Sequence, residues 1–178
     1  MACPAPPVDA GDAAGYPAGM RDPAPPRLVL ASGSPRRREL LTRAGVRFEV
    51  MPADVDESRL AGETPDALVT RLARDKALAV ARRLPATPQR VVLGADTIVV
   101  VDQDVLGKPD DPEHAVALLT RIVGRVHRVL TGVALVASGG AGIDAFWVAS
   151  EVLMREVDDA TLRAYVATGE TLDKAGAY

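Results

Sequence analysis

The 178-residue chain reads as an α/β domain built on a mixed, twisted sheet flanked by helices. Three observations point there. Short apolar runs of strand length alternate with segments of helical period along most of the chain. The run Val91 to Val105 carries a hairpin signal. The two long segments Val126 to Ala137 and Asp144 to Met154 flank a Ser138-Gly-Gly-Ala-Gly142 turn, which favours an antiparallel pair. Hairpins inserted into an α/β order give a sheet with both parallel and antiparallel neighbours. With 48% hydrophobic and 25% charged residues the chain can bury one sizeable core, and with only 3% aromatic residues Val, Leu and Ala must fill it.

Each element has a local reason. Residues 1–26 hold half of the chain's 14 prolines and have neither a basic start nor an apolar centre, so they read as a disordered Ala/Pro-rich tail rather than a signal peptide, with Met20 as an alternative start. Residues 27–178 form the domain. Leu28 to Ala31 is a short buried strand, Ser32 to Ser34 a turn, and Pro35 the first residue of a helix capped by Ser34 that runs to Ala44 and stops at Gly45. A strand near Phe48 to Met51 follows. Thr64 and Pro65 open a helix to Leu84, with Leu68, Val69, Leu72, Ala79 and Val80 on one face. Asp111 and Pro112 open a third helix ending near Gly124. Asp158 caps a last helix to Thr168, with Gly169 behind it. There is no internal repeat.

Three places carry chemistry. The turn after the first strand delivers a helix start followed by Arg36, Arg37 and Arg38. Free N–H groups and the positive dipole end there favour a phosphate by roughly 0.3–1 kcal/mol, and arginines add charge-assisted hydrogen bonds. An ordinary capped helix with solvated arginines fits the same letters. Asp96 stands beside Thr97 inside the apolar run Arg90 to Val101. A lone buried charge costs several kcal/mol unless paired, metal-bound or neutralised. The competing reading is a turn aspartate at a strand break made by Gly94 and Ala95. Lys76 falls within the apolar stripe of the second helix, opposite Arg71, Arg74 and Arg82, either snorkelling to its edge or aimed at a ligand. Lys108 lies in a rigid Gly107-Lys-Pro109 loop, where a surface lysine is the default. Cations and a carboxylate delivered by separate elements suggest a phosphate-rich substrate and a divalent metal. No Walker sequence is present.

The motifs Leu30-Ala-Ser-Gly-Ser-Pro-Arg-Arg37, Arg74-Asp-Lys-Ala77, Gly94-Ala-Asp-Thr97, Gly107-Lys-Pro109 and Asp173-Lys-Ala-Gly-Ala-Tyr178, in this order, resemble the Maf family of nucleoside triphosphate pyrophosphatases. The resemblance runs from about Arg27 to the end. It implies a fold of the Maf and inosine triphosphate pyrophosphatase-like kind, and hydrolysis of a nucleoside triphosphate to monophosphate and pyrophosphate with a divalent cation, Mg or Mn. By position, Asp96 matches the catalytic proton acceptor or a metal ligand beside it. Ser32, Arg37, Lys76 and Lys108 match phosphate contacts, and Glu57, in Asp54-Val-Asp-Glu-Ser58, matches an acidic position near metal and water; a solvated acidic turn is the other reading of Glu57. Arg36 and Thr97 resemble the members that prefer UTP and dTTP, whereas relatives that prefer methylated guanosine triphosphate have Trp and Gln there. An aromatic residue would suit a cationic methylated purine.

The family pattern continues beyond a Gly-Ala-Tyr motif, whereas this sequence stops at Tyr178, so the resemblance implies a C-terminally incomplete fold. That implication leaves open a binding or regulatory module without catalysis. House-cleaning of nucleotides and a link to cell division are both compatible with the family. Other classes are excluded. A net charge of −3 gives no basic field for nucleic acid, and no segment is apolar for long enough to span a membrane. Cys3 is the only cysteine, which points to a reducing, cytoplasmic setting. His114 and His127 lack metal-ligand spacing and read as helix and strand surface residues, and Glu151 reads as a strand-surface group rather than a cleft group. A homodimer is left open.

Overall fold

A computed structural model describes residues 27–86 and 90–178. The tail 1–26, with Cys3 and Met20, lies outside the described residues. The elements follow the expected order: β1 (Arg27–Leu30), α1 (Pro35–Arg43), β2 (Phe48–Val50), α2 (Pro65–Ala81), β3 (Arg90–Val101), β4 (Asp104–Leu106), α3 (Pro112–Ile122), β5 (Val126–Ala137), β6 (Ile143–Leu153) and α4 (Asp159–Val166), then a 3₁₀ turn at Ala175–Ala177. The strands form one six-stranded mixed sheet in the order β2-β1-β3-β5-β6, with β4 paired to β3. β1 runs parallel to β2 and β3, and the remaining pairs are antiparallel.

Strand alternation divides the core into two faces. Val92, Ile98 and Val100 of β3 with Leu130, Ala134 and Val136 of β5 face α2, meeting Leu68, Val69, Leu72, Ala73, Ala77 and Val80. Val99 and Val101 point the other way, into a cluster with Leu106, with Ala115, Leu119 and Ile122 of α3, and with Leu162 and Val166 of α4. α2 lies unusually close to the sheet, because a Cβ on Gly94 would stand 2.1 Å from the Ala73 carbonyl oxygen and one on Gly132 would stand 2.2 Å from that of Val69. Among the described residues no helix is long and apolar enough to cross a membrane. The outer strand β6 leaves Phe146, Trp147 and Val148 exposed.

Several local readings change. Gly94 and Ala95 do not break the run: Arg90–Val101 is one continuous strand, and glycine is required there by the helix backbone above it. Ser34 and Thr64 occupy the N-cap positions of α1 and α2 without a side-chain cap bond. Pro35 and Pro65 begin these helices, where a missing N–H costs nothing. Asp111 and Asp158 do cap, accepting from the His114 and Thr161 amides at 2.7 and 2.8 Å. His127 is a buried residue, 2% exposed, with Nε2 hydrogen-bonded to the Tyr178 hydroxyl at 2.5 Å, rather than a surface histidine. His114, half-exposed on α3, fits its surface reading. The β3–β4 hairpin turns through Asp102 and Gln103, both with positive φ (49° and 72°), as its two-residue loop requires. The dipeptide carries no glycine to announce it.

Candidate active site

One edge of β3 is shared by two strands that arrive from opposite directions. β1 pairs with β3 as far as Leu30 beside Leu93, and β4 pairs with it from Val99 beside Leu106. Residues 94–98 have no ladder partner on that side, so a gap opens in the sheet where both β1 and β4 end and leave. A helix start and a loop flank this gap: the Ser32–Ser34 turn and α1 follow β1, and Gly107 and Lys108 follow β4. Asp96 and Thr97 lie at its centre.

Asp96 faces α2. Lys76 Nζ donates to Asp96 Oδ1 at 2.6 Å and lies 2.7 Å from Glu57 Oε1. The Lys76 and Asp96 side chains are only 12% and 10% exposed, whereas Glu57 is 56% exposed on the loop before α2. Lys76 therefore does not snorkel to the helix edge, and its ammonium finds its partners within the chain, between two carboxylates. Burial pushes the Asp96 carboxyl above its ordinary range; Lys76 and Arg37 pull it back, and Glu57 pushes it up further.

Thr97 faces the opposite side of the sheet. Arg37 joins the two strands there, donating from one guanidinium nitrogen to Ser32 Oγ at 3.0 Å and from the other to Thr97 Oγ1 at 3.2 Å. Burial lowers the pKa of Arg37, with Arg36 lowering it further and Asp96 and Glu57 opposing. Ser32 Oγ also accepts from the Ser34 amide at 3.2 Å, which ties the turn together. The gap thus brings Ser32, Arg37, Lys76, Asp96, Thr97 and Glu57 around one opening even though neighbouring strand residues point to opposite faces.

Lys108 and Arg36 are both exposed. The Lys108 loop is held where the Gly107 carbonyl accepts from the Gly176 amide at 2.9 Å, and Gly176 itself packs on Val99. Lys108 forms no hydrogen bond or ion pair among the described residues, which leaves its ammonium available to a ligand. Asp173, held below its ordinary range chiefly by Lys174, also feels the charge of Arg36 on α1. Glu151 is exposed on β6 in register with Arg128, whereas Asp96 is in register with Gly132, so Glu151 does not reach the opening.

Two supports had no sequence signal. Thr131, the register partner of Thr97, places its hydroxyl 3.2 Å from that of Thr97. Arg71 clasps the loop that carries Glu57, donating to Glu63 Oε1 at 2.7 Å and to the Ser58 carbonyl at 2.9 Å. Glu63 is held below its ordinary carboxylate range by that contact.

The donor set suits a hard divalent cation. Asp96 and Glu57 both present an oxygen to the same point, and that point already attracts positive charge in the form of the Lys76 ammonium. Carboxylate oxygens match Mg or Mn. Among the described residues no group of three or more His, Cys, Asp or Glu side chains could hold a metal. One or two carboxylates completed by water and substrate phosphates is the usual arrangement for Mg.

The curated relatives include a dTTP/UTP pyrophosphatase of Anaeromyxobacter dehalogenans (strain 2CP-C), 51% identical over 156 residues, covering 86% of this chain and 76% of the relative. Others named in the same way come from Geotalea uraniireducens (strain Rf4), 46% identical over 151 residues with 85% and 76% covered, and Myxococcus xanthus (strain DK1622), 50% identical over 151 residues with 85% and 74% covered. The family model described as Maf-like protein matches residues 27–178, and with these identities it shows that the chain belongs to the Maf-like protein family.

Proposed function

We propose that the protein is a nucleoside triphosphate pyrophosphatase that hydrolyses UTP and dTTP to the monophosphate and pyrophosphate. The observation that carries this reading is the constellation at the sheet gap, where Asp96 faces Lys76 and Glu57 while Arg37 and Ser32 line the same opening. Relatives at about this level of identity that are named dTTP/UTP pyrophosphatase support it. Nothing favours a catalytically inactive binding module. A cytoplasmic setting fits the single cysteine.

In this reaction water attacks the α-phosphorus in line with the departing pyrophosphate. A bond forms from the water oxygen to phosphorus, the bond from phosphorus to the α,β-bridging oxygen breaks, and its electron pair leaves with pyrophosphate. Asp96 accepts the proton of the attacking water, and its raised pKa moves it toward the range useful for a general base. Arg37, Lys76 and Lys108 take the negative charge of the phosphate chain, and the Ser32 hydroxyl and the turn before α1 position it. A divalent cation held by Asp96 and Glu57 would supply charge neutralisation on the triphosphate and acidify the water. Arg36, exposed on the first turn of α1, and Thr97, in the gap, are the residues that select a pyrimidine.

Chromatography of products after incubation with a panel of nucleoside triphosphates and Mg or Mn tests the proposal. The expected result is monophosphate and pyrophosphate, fastest from UTP and dTTP. Folded protein that turns over no nucleotide would overturn it.

A further inference from the structure

Lys76 sits where a cation belongs. Its Nζ is 2.6 Å from Asp96 and 2.7 Å from Glu57, so one ammonium neutralises part of both carboxylates, and its side chain is 12% exposed. The two anions are not idle groups awaiting a metal, because the chain supplies its own counter-ion. A divalent cation entering the free protein must either displace that ammonium or accept a like charge within a few ångströms, and both oppose binding. The two carboxylates alone also leave most of the coordination shell to water, since no third acidic, His or Cys ligand joins them among the described residues.

A triphosphate changes both conditions. Its oxygens offer Lys76 a competing anion, and they complete the coordination of a metal that two carboxylates cannot fill. Glu57 is the partner able to adjust, being 56% exposed on a loop, while Asp96 is fixed in the centre of β3. Building on the pyrophosphatase reading, we infer that Lys76 is a positioning residue acting as a charge lock: it closes the Asp96–Glu57 pair to free divalent cations and opens it only when a triphosphate takes the ammonium. The cation then enters together with the nucleotide, and free metal ions do not occupy the site between turnovers.

The test is binding of Mn²⁺, followed by electron paramagnetic resonance, and needs no turnover. For the wild-type protein, a non-hydrolysable UTP analogue is expected to tighten Mn²⁺ binding on the order of tenfold or more beyond the binding of the analogue alone, the usual scale of coupling between sites. Lys76→Met without nucleotide should bind Mn²⁺ on the order of tenfold more tightly than wild type, because the lock is gone, while Lys76→Arg should stay closed. Adding Asp96→Asn to Lys76→Met should abolish the gain. Equal Mn²⁺ affinity of wild type and folded Lys76→Met would overturn the inference. So would wild-type affinity that is unaffected by the analogue, which keeps the question answerable if the variant does not fold. The metal-only arm is independent of hydrolysis, so a failed product assay and a failed lock are separate results.

Discussion

Replacing Gly94 by Ala tests the helix–sheet contact that builds the site. The new Cβ would lie 2.1 Å from the Ala73 carbonyl oxygen, 2.7 Å from the Ala77 amide nitrogen and 2.8 Å from the Ala77 Cβ, against 3.4–4 Å for ordinary contact. Those atoms are mostly helix backbone and cannot rotate away. α2 must therefore withdraw from β3 by about 1 Å or more, which loosens its packing from Leu68 to Val80. Overpacking of a core costs about 1–3 kcal/mol and more when backbone must move, offset by about 0.4–1 kcal/mol from the stiffer unfolded chain. A net loss of about 3 kcal/mol corresponds to a Tm lower by roughly 6–12 °C in a domain of this size. Circular dichroism melts of Gly94→Ala read this directly. Gly33→Ala, whose Cβ would meet nothing nearer than 3.9 Å, serves as the control and should change stability by no more than about 0.5 kcal/mol. Because Lys76 lies between Ala73 and Ala77, Gly94→Ala should also lose activity at temperatures where it is folded. A Gly94→Ala protein that melts within about 2 °C of wild type would refute the close-packing argument.

Three further outcomes follow from the site and its supports. Asp96 must be ionised to accept a proton and burial raises its pKa, so kcat/KM, corrected for titration of the substrate, should fall on the acid side with a midpoint above the ordinary 3.8; a midpoint at or below that value contradicts its burial. His127 has its pKa lowered, first by burial, against a weaker opposing effect of the Arg125 backbone. The unfolded chain thus binds the proton more tightly, and stability present above about pH 6.5 is lost as the pH falls below it. In melts from pH 7.5 down to 5, His127→Gln should show a shallower decline in Tm than wild type; identical slopes would count against the linkage. Glu63→Ala should remove the Arg71–Glu63 half of the clasp on the loop carrying Glu57, leaving only the bond to the Ser58 carbonyl, and lower activity at temperatures where the variant is folded; activity equal to wild type would show that this contact does not position Glu57.

The parts of the site that could be read in the letters are those where a residue breaks its local pattern. Asp96 is conspicuous in the run Val91 to Val101, and Lys76 in the apolar stripe of α2, because each pays for burial unless it meets a partner. That they meet each other depends on the packing of α2 across β3, which periodicity does not encode. The same holds for Arg37 and Thr97, sixty positions apart in the chain, and for Arg71 and Glu63, which no helical spacing joins. Gly94 was misleading for a physical reason: a glycine that permits close approach of another backbone looks the same in sequence as one that breaks a strand. His127 likewise needed its distant partner Tyr178 to be recognised as buried. The order of elements, by contrast, follows from apolar period, Pro at helix starts and Gly after helix ends, and these are local properties.

The central claim is that this opening directs water to the α-phosphorus with Asp96 as base, and the most direct measurement is hydrolysis of UTP in ¹⁸O-labelled water with mass analysis of both products. The account predicts label in UMP, none in pyrophosphate, and loss of turnover in Asp96→Asn by about 10²–10⁴-fold, the usual contribution of a general base. Label in pyrophosphate or in released orthophosphate, or an Asp96→Asn protein that turns over UTP at the wild-type rate, would contradict it.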